Sequence, residues 1–263
     1  MQKKRNREVL LNTTKEDHNM TIRILVNGAN GKMGQVTCKT IAEHSDFTLV
    51  YKNGERDDLL SSIHEHKPDI VIDFTNAESV FKNTEIIIKA SVHPVIGTSG
   101  LKDEEIKKLQ QLSADAKLGG IIAPNFSIGA VLMMKYAGEI AKYFADIEII
   151  EMHHAGKQDS PSGTALKTAE LLGKARTTHQ PLKPSRETIP GARGATMNNI
   201  PIHSVRLPGF LAHQEVIFGA PGETLTIRHD TIDRQCFMAG VVLACQKVQS
   251  LNHLVYGLEN LLV

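Results

Sequence analysis

The feature that most narrows the possible fold is a regular exchange of two periodicities between residues 21 and 125. "TIRILVNGA" is a short apolar run closed by glycine, the pattern of a strand buried on both faces. "GKMGQVTCKTIAEH" follows it with apolar residues at helical spacing. "FTLVYK", "PDIVIDFT", "HPVIGTS" and "GGIIAPNF" repeat the strand pattern, and "SVFKNTEIIIKAS" and "DEEIKKLQQLSADAK" repeat the helical one. Strands and helices that take turns imply right-handed crossovers, so a doubly wound α/β parallel sheet is expected.

Past Asn125 the regime changes. "IGAVLMMKYAGEIAKYF" reads as a long helix and "ADIEIIEMHH" as a strand, whereas "ARTTHQPLKPSRETIPGARGATMNN" reads mostly as loop. "IPIHSVRLPG", "HQEVIFGA" and "ETLTIRHDT" are consecutive β-rich segments, which predict an antiparallel or mixed sheet and a smaller α+β second domain. "QCFMAGVVLACQKVQ" is apolar on more than one face and reads as a buried helix. Residues 1–20 are polar and mixed in charge, so they are expected to form a disordered leader, with Met20 an alternative start.

Composition excludes several classes. The formal net charge is +1, and "KKRNR" is the only basic cluster, which disfavours nucleic acid as a partner. No apolar run reaches membrane-spanning length. The three cysteines, Cys38, Cys236 and Cys245, are odd in number and lack metal-ligand spacing, which suits a reducing cytoplasm.

"VNGANGKMG" places Gly28, Gly31 and Gly34 at the first strand-to-helix junction, a Rossmann-type dinucleotide spacing. The glycines allow a tight turn, a close approach to a pyrophosphate and close helix packing, while the helix start offers free N–H groups. At the end of the second strand Lys52 suits the 2′-phosphate of NADPH, whereas the neighbouring Glu55 would suit NADH. Gly97, Thr98 and Ser99 end one later strand, and Ala123, Pro124, Asn125 and Phe126 end another. Both loops leave the carboxyl edge of the sheet, where a nicotinamide would lie.

In "EMHHAGKQDSPSGTA", His153 and His154 alternate across a strand and cannot share a metal ion without a kink, so no metal site is expected. His153 and Lys157 can converge through the Ala155-Gly156 turn as proton donors beside an anionic substrate. Ser162 is a candidate helix cap, and the Gly163 and Thr164 N–H groups then form a carboxylate site.

This stretch, with "GANGKMG", "DIVIDFT", "VIGTSG" and "APNFSIG" in the same order, closely resembles the dihydrodipicolinate reductase family. The resemblance covers nearly the whole chain after Met20. It implies reduction of a small cyclic dicarboxylate at C4, with loss of water, on the diaminopimelate route to lysine, using NADPH or NADH. By motif position His153 and Lys157 would donate protons, His154 would contact substrate, and Gly163 and Thr164 would bind a carboxylate. Gly28, Ala29, Asn30, Gly31, Lys32 and Met33 would join the two later loops in holding the cofactor. It further implies a homotetramer built through the second sheet, and a final helix that returns to the first domain. The expected division is therefore residues 21–124 with 233–263 for the dinucleotide and 125–232 for substrate and oligomerisation. Two departures stand out: Ala212-His213-Gln214 replaces a common Gly-Glu-His, and Lys52-Asn53 replaces acidic or acidic-basic residues. Another nicotinamide oxidoreductase of a small acid, or a catalytically silent nucleotide-binding module, would share part of this pattern.

Overall fold

The computed structural model describes residues 21–177 and 186–262, so the expected leader over 1–20 lies outside the described residues. The first half alternates strand and helix as expected, with α2 an added helix in a segment that the sequence reading leaves unassigned: β1 (Ile22–Asn27), α1 (Lys32–Glu43), β2 (Phe47–Asn53), α2 (Leu59–His66), β3 (Ile70–Asp73), α3 (Val80–Lys89), β4 (His93–Ile96), α4 (Asp103–Asp115) and β5 (Gly120–Ile122). The second half runs α5 (Ile128–Ile140), β6 (Asp146–His153), α6 (Gly163–Ala175), β7 (Ala195–Met197), β8 (Ile200–Arg206), β9 (Ala212–Ala220), β10 (Glu223–Thr231), α7 (Met238–Lys247) and β11 (Leu254–Tyr256).

The first sheet has six parallel strands in the order β11-β5-β4-β3-β1-β2. Successive residues of its central strands enter opposite cores, because side chains alternate along a strand. Ile24, Val26, Ile70, Ile72, Val95 and Ile121 pack with α1 and α7 residues such as Ile41, Val241 and Cys245. Leu25, Val71, Ile96 and Ile122 pack with Leu59, Ile63, Ile87 and Leu109 from α2, α3 and α4 on the other face. Strand order reverses at β1, between β2 and β3, and such a switch point opens a crevice at the carboxyl edge.

The second sheet is mixed, with order β10-β9-β6-β8-β7 and one parallel pair, β6 with β8. One face is covered by α5 and α6: Ala137, Ala141 just past the end of α5, and Ala165, Ala169 and Leu172 meet Ile147, Ile149, Val216 and Phe218. Small residues on both helices let them lie close to the strands.

Three features differ from the sequence expectation. β11 was not anticipated, and it completes the first sheet beside β5. The stretch read as mostly loop contains β7, paired antiparallel to β8. The helix expected to run to Phe144 ends at Ile140, where the chain turns back towards β6. Among the described residues no helix is long and apolar enough to cross a membrane.

Candidate active site

The turn from β1 into α1 shows why glycine is required there. Gly28 has φ +79°, and a Cβ on it would lie 2.4 Å from the Phe74 carbonyl oxygen. A Cβ on Gly34 would lie 2.1 Å from the Gly28 oxygen, so the first turn of α1 presses on the loop. The Gly28 and Ala29 N–H groups bind the Asn53 carbonyl at 3.0 and 3.1 Å and tie the loop to the end of β2. The α1 start has no side-chain cap and no acidic residue in its first turn. Its free amides and partial positive charge are left for an anion.

Beside that start is a recess of about 410 Å³ lined by Gly31, Lys32, Met33, Phe74, Thr75 and Gly97 to Ser99 among others. Two of the expected cofactor loops therefore meet at one crevice, which fits the diphosphate and nicotinamide half of a dinucleotide. Asp73, fully buried at the end of β3, orders this crevice. Its Oδ1 accepts from the Thr75 N–H, the Thr75 hydroxyl and the Thr98 hydroxyl at 3.1, 2.7 and 2.6 Å. Its Oδ2 accepts from the side-chain amides of Asn27 and Asn83 at 2.8 and 3.0 Å. These five donors, none a cation, satisfy a buried carboxylate by dipoles alone. Asp73 went unassigned in the sequence, although a charged residue closing an apolar strand was the available signal.

A neighbouring cavity of about 390 Å³ lies between the two sheets. From the first-sheet side Met33, Gly97, Ala123, Pro124, Asn125 and Phe126 line it; from the other, His153, Ser162 and Thr164 do. Met33, Phe74 and Gly97 border both spaces, so the two adjoin. The wall formed by β9 and β10 adds Ala212, His213, Gln214, His229 and Thr231, with Arg234 and Phe237 beyond.

His153 owes its orientation to strand alternation, which puts it on the same face as Glu151. Its Nδ1 lies 2.5 Å from Glu151 Oε2. Glu151 has no exposed surface and is gripped by the Arg206 guanidinium at 2.8 and 2.9 Å. Burial pushes the Glu151 carboxyl up, but hydrogen bonds from His153, Arg206 and Ser204 outweigh it and bring the pKa down to about 2. Ser162 caps α6 as expected, accepting from the Ala165 N–H at 3.2 Å. That leaves the Gly163 and Thr164 amides at the helix start.

Not every expected residue faces the cavity. Gly28, Ala29, Asn30 and Lys52 line neither space: the first three form the loop behind the recess, and Lys52 is exposed at the end of β2. His154 and Gly163 are exposed and likewise line neither space. The Lys157 ammonium is turned to Asp159, at 2.7 and 2.9 Å from its two oxygens.

Four residues that sequence reasoning left without a role occupy the wall. His229 shares a 3.0 Å contact with the Ser127 hydroxyl, and burial pushes its pKa down. Gln214 donates to the Thr168 hydroxyl at 2.8 Å, while its own carbonyl oxygen is buried without a partner. His213 Nδ1 is 2.5 Å from Asp230. Arg234 follows β10. Gln214 and His229 sit opposite each other in the β9–β10 register, a pairing that separate sequence segments do not disclose. Among the described residues no cluster could hold a metal ion.

Comparison with known proteins bears on this geometry. Residues 22–126 match the family described as "Dihydrodipicolinate reductase, N-terminus", and residues 129–262 that described as "Dihydrodipicolinate reductase, C-terminus". The chain is 55% identical to the 4-hydroxy-tetrahydrodipicolinate reductase of Coxiella burnetii strain RSA 493 / Nine Mile phase I, over 92% of this chain and 100% of that protein. It is 54% identical to the enzyme of the same name from Legionella pneumophila strain Philadelphia 1, with the same coverage. A dipicolinate-bound dihydrodipicolinate reductase from Paenisporosarcina sp. TG-14 superposes with a TM-score of 0.85 at 43% identity, covering 92% of this chain and 99% of that one. An apo scyllo-inositol dehydrogenase from Lactobacillus casei, at 14% identity and a TM-score of 0.60 over 92% of each chain, shares the fold alone.

Proposed function

This chain belongs to the dihydrodipicolinate reductase family, and on that footing we propose how its residues divide the work. It is a nicotinamide-dependent oxidoreductase that reduces 4-hydroxy-tetrahydrodipicolinate in lysine and diaminopimelate biosynthesis. When bound, the reduced nicotinamide supplies a hydride to C4 of the ring, water is lost, and tetrahydrodipicolinate results.

The loop Gly28, Ala29, Asn30, Gly31, Lys32 and Met33, with the uncapped α1 start, holds the diphosphate. Gly97, Thr98, Ser99, Ala123, Pro124, Asn125 and Phe126 bracket the nicotinamide half. Lys52, exposed at the end of β2, pairs with a 2′-phosphate, so NADPH is the preferred cofactor and NADH the second. The Gly163 and Thr164 amides take one substrate carboxylate, and His154 contacts the ring substrate. His153 delivers a proton from Nε2, since Nδ1 is occupied by Glu151. Lys157 is the second donor. Its partner Asp159 is exposed, and a surface ion pair of this kind contributes little, so a dianionic ligand can draw the ammonium away.

Residues 21–124 and 233–263 form the cofactor domain in this reading, and 125–232 the substrate and oligomerisation domain. β10 is exposed along most of its length, which suits assembly of a cytoplasmic homotetramer through the second sheet. The observation that carries the whole reading is the shared cavity, where Met33, Gly97 and Asn125 meet His153 and Thr164. Steady-state assays with NADPH and NADH test it on the wild type, His153→Ala and Lys157→Ala. We expect NADPH to give the higher kcat/KM and each variant to lose roughly 10²-fold or more in kcat. Wild-type kcat in both variants would remove them from the chemistry.

A further inference from the structure

Glu151 is a charged residue on an otherwise apolar stretch of β6, and the reading above gives it no step of its own. Each oxygen is met by at least two donors, and Ser204 adds a further hydrogen bond to the carboxylate. Oε2 receives His153 Nδ1 at 2.5 Å and Arg206 Nη1 at 2.9 Å; Oε1 receives Arg206 Nη2 at 2.8 Å and the Ser162 N–H at 3.2 Å. Arg206 Nη2 also donates to the Asp159 carbonyl at 2.7 Å. One ion pair, joining β6 to β8, thus touches the imidazole, the turn that carries Lys157 and the residue that caps α6.

We propose that the Glu151–Arg206 pair is the positioning device of this active site, fixing the His153 tautomer and holding the 159–162 segment in register with it. The proposal rests on His153 being a proton donor.

An ionised carboxylate can only accept, so His153 carries its Nδ1 hydrogen towards Glu151 and presents Nε2 on its other side. The same carboxylate lies against the ring that gives the proton and holds its orientation. The other charged or titratable groups around this cavity, His213 on β9, His229 on β10 and Arg234 beyond it, make no hydrogen bond to His153, and Lys157 is paired with Asp159. Among the described residues Glu151 therefore sets which ring nitrogen is protonated. Arg206 keeps that acceptor ionised and adds the contact to Asp159, with a planar fork that lysine cannot reproduce.

Glu151→Gln replaces one acceptor oxygen with an NH2 group. At the Oε1 position it would oppose Arg206 and a backbone N–H, both obligate donors. At the Oε2 position it opposes one obligate donor, Arg206 Nη1, and meets His153, which can surrender its hydrogen and accept. The ring is then forced into the Nε2–H tautomer.

The test combines the ¹⁵N spectrum of the histidine rings, assigned by comparison with His153→Ala, with steady-state kinetics. For Glu151→Gln the protonated nitrogen of His153 moves from Nδ1 to Nε2, and kcat falls roughly 10²-fold or more. NADPH affinity, read by fluorescence, stays at the wild-type value, which a general loss of structure would not allow. Glu151→Asp, which keeps the charge, recovers part of the rate. Arg206→Lys raises the KM for substrate and leaves NADPH affinity unchanged. Removing one member of a buried pair is destabilising, so Glu151→Gln combined with Arg206→Met serves if the single variant does not fold. An unmoved nitrogen signal, or a wild-type kcat, would overturn the proposal. If His153→Ala itself keeps full activity, the proton-donor reading fails, and the nitrogen spectrum alone then decides the tautomer claim.

Discussion

Glu151 keeps its negative charge without exposed surface because His153, Arg206 and Ser204 supply hydrogen bonds that outweigh burial. Its pKa of about 2 lies below the ordinary 4.5, so its contribution to stability is fully present above 4.5 and is lost as pH falls towards 2. Urea unfolding of the wild type and Glu151→Gln, followed from neutral pH downward, should show the wild-type advantage shrinking through that window. An advantage that is constant across it would mean the carboxylate titrates normally. At this scale half of the site was legible in the sequence. His153, Thr164, the Ser162 cap and the Gly97 and Asn125 loops could be placed because each lies at a strand end or helix start, where chemistry concentrates. Arg206, Gln214, His229 and Asp73 could not. Each acquires its meaning from partners on strands or loops distant in the chain, and no local pattern records who those partners are.

β11 is three residues long, yet Leu254 within it is fully buried against β5 and α4. Leu254→Ala should cost about 3 kcal/mol by lost transfer free energy and residual cavity, measured by denaturant unfolding. Leu60→Ala, at an exposed position of α2, should stay within about 0.5 kcal/mol of the wild type. Equal losses at the two sites would show that β11 is not a fixed part of the sheet. The elements of the first hundred residues were readable because a doubly buried parallel strand and an amphipathic helix have different periods. β7 and β11 escaped because three residues contain no period, so only their pairing identifies them. α5 was read too long for a related reason: the apolar residues after Ile140 belong to a turn packed against the second sheet, and composition alone does not distinguish the two.

Across the whole molecule, the first-sheet lobe and the second-sheet lobe are joined by two connections, one between β5 and α5 and one between β10 and α7. The cavity of about 390 Å³ lies between them, lined from both sides. A ligand touching both walls has more contacts when they approach, so binding should favour a closed arrangement. Small-angle scattering should show a smaller radius of gyration with a nicotinamide cofactor and a substrate analogue together than with either alone. No compaction with both present would argue for a rigid cleft.

The position of β11 has a further consequence for how the chain is made. The edge of β5, with the apolar pair Ile121 and Ile122, has no neighbour until residues 254–256 have left the ribosome, by which time the whole second lobe has already been synthesised. The first-sheet lobe is therefore the first to begin and the last to finish. A circular permutant that starts near residue 233 would let that lobe mature as one uninterrupted stretch.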